Sequence, residues 1–151
     1  MKLEEELQTK GFENEHQKAF LNVLFTAEWL RYRINKWLDQ YDLTHEQYNV
    51  MRIVRGQHPM PVHLKSITER MINRYCNATR IVDRLLEKEL MTKQTCPSDR
   101  RALNIKLSEK GLELMGEIDA HLRSNDMVGR VLSEEDSRLM NDLLDRLREA
   151  E

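Results

Sequence analysis

The chain has 151 residues, 40% hydrophobic and 33% charged, with a formal net charge of −2, which suits one domain with helical extensions and a buried core. No apolar run approaches the roughly 18–20 residues that span a bilayer, and the acidic opening Met1-Lys2-Leu3-Glu4-Glu5-Glu6 lacks the apolar centre of a signal peptide. The expectation is a cytoplasmic protein without a membrane partner. Cys76 and Cys96 are too few and too irregularly placed for a disulfide framework or a structural zinc site; no cofactor and no metal are expected.

Leu3 to about Gly11 is short and charged, and reads as either a frayed helix or an arm. From about Glu15 to Tyr41 the residues Phe20, Leu24, Ala27, Leu30, Ile34, Trp37 or Leu38, and Tyr41 recur with helical spacing. Neither proline nor glycine interrupts the run, so it predicts one long helix. Phe25 and Trp29 widen its apolar stripe beyond what one small core needs. Thr44-His45-Glu46-Gln47 has the form of a capping box and opens a second helix to about Arg55, with Tyr48 and Met51 inward. Gly56 to Pro61 is a break, with two prolines and a glycine in six residues.

Leu64, Ile67 and Met71 then mark a short helix, Ile72-Asn73-Arg74-Tyr75 a connector, and Ala78, Ile81, Val82 and Leu85 a second helix to about Glu89. Two short helices with a tight link form a helix-turn-helix. The outer face of the second helix carries Asn77, Arg80, Asp83, Arg84 and Lys88. Thr92–Thr95 and Ala102–Leu107 read as strands, the latter by alternation of Leu103, Ile105 and Leu107 with Asn104 and Lys106. Between them Pro97 to Arg101 forms a turn, so the hairpin is a wing. Ser108 caps a further helix, and Ser133-Glu134-Glu135-Asp136 starts the last one with its stripe on Leu139, Leu143 and Leu147. The fold class is therefore mainly α with a small β-hairpin wing, about six helices in all. Three regions are expected: 1–42, a winged helix-turn-helix over 43–107, and 108–151.

The net charge hides a local asymmetry. From Pro61 to Lys106 there are ten basic residues and five acidic ones, so this segment carries +5 and the remainder −7. Phosphate attraction acts over about a Debye length, roughly 8–10 Å, so a basic module can hold DNA within an acidic protein. A recognition helix needs short polar side chains and arginine near its start to reach base edges. Cys76, Asn77 and Arg80 stand there: Arg80 suits guanine and Asn77 adenine. Lys65, Arg74, Thr79 and Arg84 are placed for phosphates. Arg100 and Arg101 at the wing tip suit a narrow minor groove, with Asp99 orienting a neighbouring arginine. An enzyme has no support, since no nucleophile motif, phosphate loop or HExxH run is present. His45, His58 and His63 lack a firm metal-ligand spacing.

Leu43 to Tyr48, Ser66 to Met71, Thr79 to Leu85, Asp99-Arg100-Arg101 and Leu107-Ser108-Glu109-Lys110-Gly111 together resemble the MarR (multiple antibiotic resistance regulator) family. The Asp-Arg-Arg wing followed by Leu-Ser-Glu-Lys-Gly is quite specific to it. The resemblance covers over half the chain, from Leu43 to about Asp119. It implies a homodimer whose first and last two helices interlock as a dimerisation domain, with two winged helices on a pseudo-palindrome of double-stranded DNA. It also implies a repressor released by a small aromatic or anionic effector, bound between the dimerisation helices and the DNA-binding lobe. Trp29, Arg33, Tyr48 and Met51 lie near that expected cleft, with Arg33 opposing an anion.

Two alternatives stay open. Oxidation of Cys76 would put bulk and charge at the DNA surface, although peroxide sensors of this family carry their reactive cysteine in the first helix, which here has none. A winged helix can also serve as a protein–protein adaptor. One departure from the family pattern stands at Lys88-Glu89-Leu90, where glutamate replaces the usual glycine; a left-handed backbone there would cost roughly 1 kcal/mol.

Overall fold

Five helices begin where a side chain can accept a hydrogen bond from the backbone N–H three residues ahead. Asn14, Thr44, Asn77, Ser108 and Ser133 each do so. In the computed structural model, which describes residues 1–95 and 103–149, the elements in chain order are α1 (Leu3–Glu6), α2 (Glu15–Leu38), α3 (His45–Arg55), β1 (Val62–His63), α4 (Leu64–Arg70), α5 (Ala78–Glu87), β2 (Met91–Thr95), β3 (Leu103–Leu107), α6 (Glu109–Ser124) and α7 (Glu134–Arg148). There are thus seven α-helices among the described residues rather than about six, because the N-terminal segment does close one helical turn. The long helix also stops earlier than its pattern suggests. Past Leu38 it tightens into a 3-10 turn, Asp39–Tyr41, and Asp42 turns left-handed at φ 53°. None of the helices is long and apolar enough to cross a membrane among the described residues.

The sheet is three-stranded and antiparallel in the order β1-β3-β2. Met91 to Thr95 pairs with Leu107 to Leu103 as the expected hairpin. The third strand has only two residues, Val62 and His63, opposite Ile105 and Asn104. A run that short carries no alternation, so it was hidden behind the proline-rich break.

The core lies where α3, α4, α5, α6 and the sheet meet. Val50, Met51, Val54, Ile67, Leu85, Ile105, Met115 and Ile118 are wholly or almost wholly buried. Trp37 of α2 packs edge-on against Tyr48 of α3 at 6.4 Å and lies 5.2 Å from His121 of α6, joining three helices. Arg55 adds a polar tie from α3 to α6, donating to Asp119 Oδ2 at 2.5 Å and to the Met115 carbonyl. Toward the chain ends the packing stops. Phe20, Leu24, Leu139, Leu143 and Leu147 are all exposed, and α7 buries none of its residues.

Candidate nucleic-acid interface

The start of α5 is held from behind. Met71 and Ala78 are buried on either side of the turn that joins α4 to α5. Asn49, a buried side chain of α3, accepts the Ile72 N–H at 3.0 Å, and Asn73 Oδ1 accepts the Tyr75 N–H. Asn77 Oδ1 then caps α5 by accepting the Arg80 N–H at 3.1 Å. The turn is therefore fixed by three asparagines, and its outward side chains are aimed rather than loose. Asn49 is a positioning residue that sequence reasoning passed over. A lone polar residue amid the inward positions of α3 was its only signal.

Asn77, Thr79, Arg80 and Arg84 are exposed on α5, and Lys65 and Arg74 are exposed on α4 and the turn. Asn77, Arg80 and Arg84 border one shallow hollow, whose other wall is Thr44, Glu46 and Gln47 at the start of α3. Arg74 and Arg80 are in no ion pair among the described residues, whereas Arg84 is held by Glu87 at 2.7 Å and Lys65 stands 4.0 Å from Glu69. The most available cations thus sit at the start of α5, where base edges are reached. Asn77's cap engages Oδ1 with one donor, so a bidentate contact with adenine would share that oxygen while Nδ2 stays free to donate.

Two residues stand differently from expectation. Cys76 precedes the cap rather than opening the helix, and it is half-buried against the core, with its thiol free. Lys88, expected on the solvent face, folds back to the far end of α2, with Nζ 2.8 Å from Asp42 Oδ2. Arg100, Arg101, Asp99 and Cys96 lie outside the described residues. The left-handed backbone anticipated at Glu89 is present: its φ is 60°. There the Leu90 N–H donates to Leu85 O and the Glu89 N–H to Leu86 O, the pair of bonds that ends a helix around a left-handed residue.

The residues named for an effector cleft separate in the single chain. Met51 is fully buried and Tyr48 nearly so; burial pushes the Tyr48 phenol above its ordinary range. Trp29 and Arg33 pair with each other, the guanidinium 5.1 Å from the indole ring, in the part of α2 before Trp37, the residue that packs on Tyr48.

A winged helix with a cationic, rigidly presented helix start narrows the comparison with known proteins. Residues 43–103 match the MarR family model. Over this segment the chain resembles the MarR family of transcription regulators. It is 28% identical over 131 residues to the HTH-type transcriptional regulator MhqR of Bacillus subtilis (strain 168), covering 86% of this chain and 89% of that one. Among solved structures it shares its fold with AbsC, a MarR family regulator from Streptomyces coelicolor, at TM-score 0.78, 21% identity and coverage of 93% and 97%. It likewise matches S. aureus MepR, solved as a DNA complex, at TM-score 0.74, 18% identity and coverage of 88% and 97%. In this chain the helix-turn-helix is α4 and α5, and the wing strands are β2 and β3.

Proposed function

We propose that this protein is a MarR-family, homodimeric, sequence-specific DNA-binding regulator acting as a repressor on a pseudo-palindromic operator. The observation that carries this is the start of α5, where Asn77, Thr79 and Arg80 are exposed beside Arg74 on a turn anchored to the core. Arg80 reads a base edge, while Lys65, Arg74, Thr79 and Arg84 meet phosphates. Arg100 and Arg101 follow the minor groove from the wing, oriented by Asp99. Regions 1–42 and 108–151 form the dimerisation part. The uncovered Phe20, Leu24, Leu139, Leu143 and Leu147 support that assignment, since an exposed apolar stripe of this length asks for a partner. A small aromatic or anionic effector, admitted near Trp29 and Arg33 at the edge of the dimerisation helix, releases the DNA.

The test is fluorescence anisotropy of the full chain on duplex DNA from upstream of its own gene, against a scrambled duplex, over a salt series. Tight binding to the upstream duplex with a steep salt slope, and weak binding to the scrambled one, is the expected result. Equally weak binding to both would favour the adaptor reading.

A further inference from the structure

Tyr75 is the most exposed large hydrophobic residue among those described, at 101%, and its neighbour Ile72 is 67% exposed. Both lie in the seven-residue turn between α4 and α5, in a different element from the exposed apolar residues of α2 and α7. Their backbones are fixed at the points already given: Ile72 through Asn49 and Tyr75 through Asn73. Tyr75 stands two residues ahead of the Asn77 cap, so it is carried to the same place as Asn77 and Arg80. The stretch from Arg70 to Val82 holds three arginines and no carboxylate. An aromatic ring exposed to water, next in sequence to the exposed Arg74 and at the leading end of a recognition helix, fits one surface well. Duplex DNA presents phosphates to the arginine and the 5-methyl group of thymine, the apolar feature of the major groove, to the ring.

We propose that Tyr75, backed by Ile72, is a specificity-determining residue that reads a thymine methyl at the edge of each half-site. This rests on the DNA-binding reading above. The contact is apolar, so the ring carries it and the hydroxyl does not; losing one methyl from it costs about fourfold in affinity per half-site.

The experiment starts by selecting duplexes from a random library on the full-length wild-type protein. Each thymine of the recovered duplex is then replaced in turn by deoxyuridine, which lacks only the methyl group. Wild type should bind about fourfold more weakly when one particular thymine is replaced in either half-site. Tyr75→Ala changes both protomers, so it should bind the thymine duplex about sixteenfold more weakly, about fourfold at each half-site, and should no longer distinguish it from the uracil one. Tyr75→Phe should keep the discrimination, and so should Arg80→Ala despite its weaker binding. Melting temperatures of the Tyr75 variants should match wild type, because this side chain is uncovered. If every thymine is replaceable without loss, or if Tyr75→Ala still senses the missing methyl, the assignment fails while DNA binding stands. If no sequence is enriched at all, both fail, and Ile72 and Tyr75 become candidates for docking a protein.

Discussion

Lys88 Nζ lies 2.8 Å from Asp42 Oδ2 and also donates to the Asp42 carbonyl. The bond joins the ends of two helices of similar construction. Each closes on a left-handed residue, Asp42 after α2 and Glu89 after α5, and each is followed by a buried leucine, Leu43 and Leu90. The recognition helix is thereby tied at its C-terminus to the end of the long helix. Lys88→Met should lower stability by about 0.5–1 kcal/mol, since the carboxylate is exposed and the pair is solvent-screened. That corresponds to roughly 1–4 °C in Tm. Asp42→Asn should cost less, because asparagine tolerates the left-handed backbone and the carbonyl acceptor remains. An Asp42→Asn loss equal to that of Lys88→Met, measured by thermal melting, would contradict this arrangement.

Glu89 is strained at φ 60°, and its side chain gains only an exposed 3.7 Å approach to Lys110. Glu89→Gly should therefore raise the unfolding free energy by about 1 kcal/mol, while Glu89→Ala should not. The reverse holds at Gly111, where a Cβ would come within 2.1 Å of the Leu90 carbonyl oxygen. Gly111→Ala should cost about 2–3 kcal/mol or more. Urea midpoints of the three variants check both statements.

Arg80→Ala should lose about 1–3 kcal/mol on the selected duplex and relax preference at one base pair. Lys65→Ala should weaken binding to specific and scrambled duplexes alike and reduce the salt slope by about one. Equal losses on both duplexes for Arg80→Ala would move that arginine to the phosphate class.

Leu139, Leu143 and Leu147 follow one another at four-residue steps along α7 and are exposed, so Leu143→Glu should disturb the dimer and leave each core intact. Light scattering after size exclusion should show the variant dissociating at concentrations where wild type has twice the chain mass. A wild type that runs as a monomer removes the basis for a palindromic operator.

Burial holds the His45 imidazole below its ordinary value, with Arg31 and Arg52 acting in the same direction and Glu46 opposing. The unfolded chain then takes up this proton first. The contribution to stability is present above the ordinary value of 6.5 and is lost as pH falls through it. His45→Gln should narrow the fall in Tm between about pH 7.5 and pH 5.5. A gap between wild type and variant that stays constant over that range would rule out the assignment to His45.

The helix-turn-helix and its hairpin were legible because their signals are local. Apolar spacing from Leu64 to Leu85 and alternation at Leu103, Ile105 and Leu107 each fall within one element. The hydrogen-bonding side chains at Thr44, Ser108 and Ser133 mark helix starts just as directly. What escaped depends on partners distant in sequence. Lys88 looks solvent-facing from its helix alone, yet its anchor is 46 residues away. Val62 and His63 become a strand only because β3 arrives beside them. Met51 and Tyr48 face inward as expected, but inward meant the core of one chain, and a sequence pattern cannot separate a core from a cleft lining.

His63 ends β1 and is also the cap position of α4, so no free residue separates the sheet from the helix-turn-helix. Because β1 pairs with the central strand β3, the wing and the recognition helix are struts of one frame. On the proposed reading, the spacing between α5 in the major groove and the strands β2 and β3 that carry the wing is therefore a fixed gauge, machined into each protomer. In the dimer proposed above, adjustment to operators of different length, and any release of DNA, would then come from the angle between the two frames.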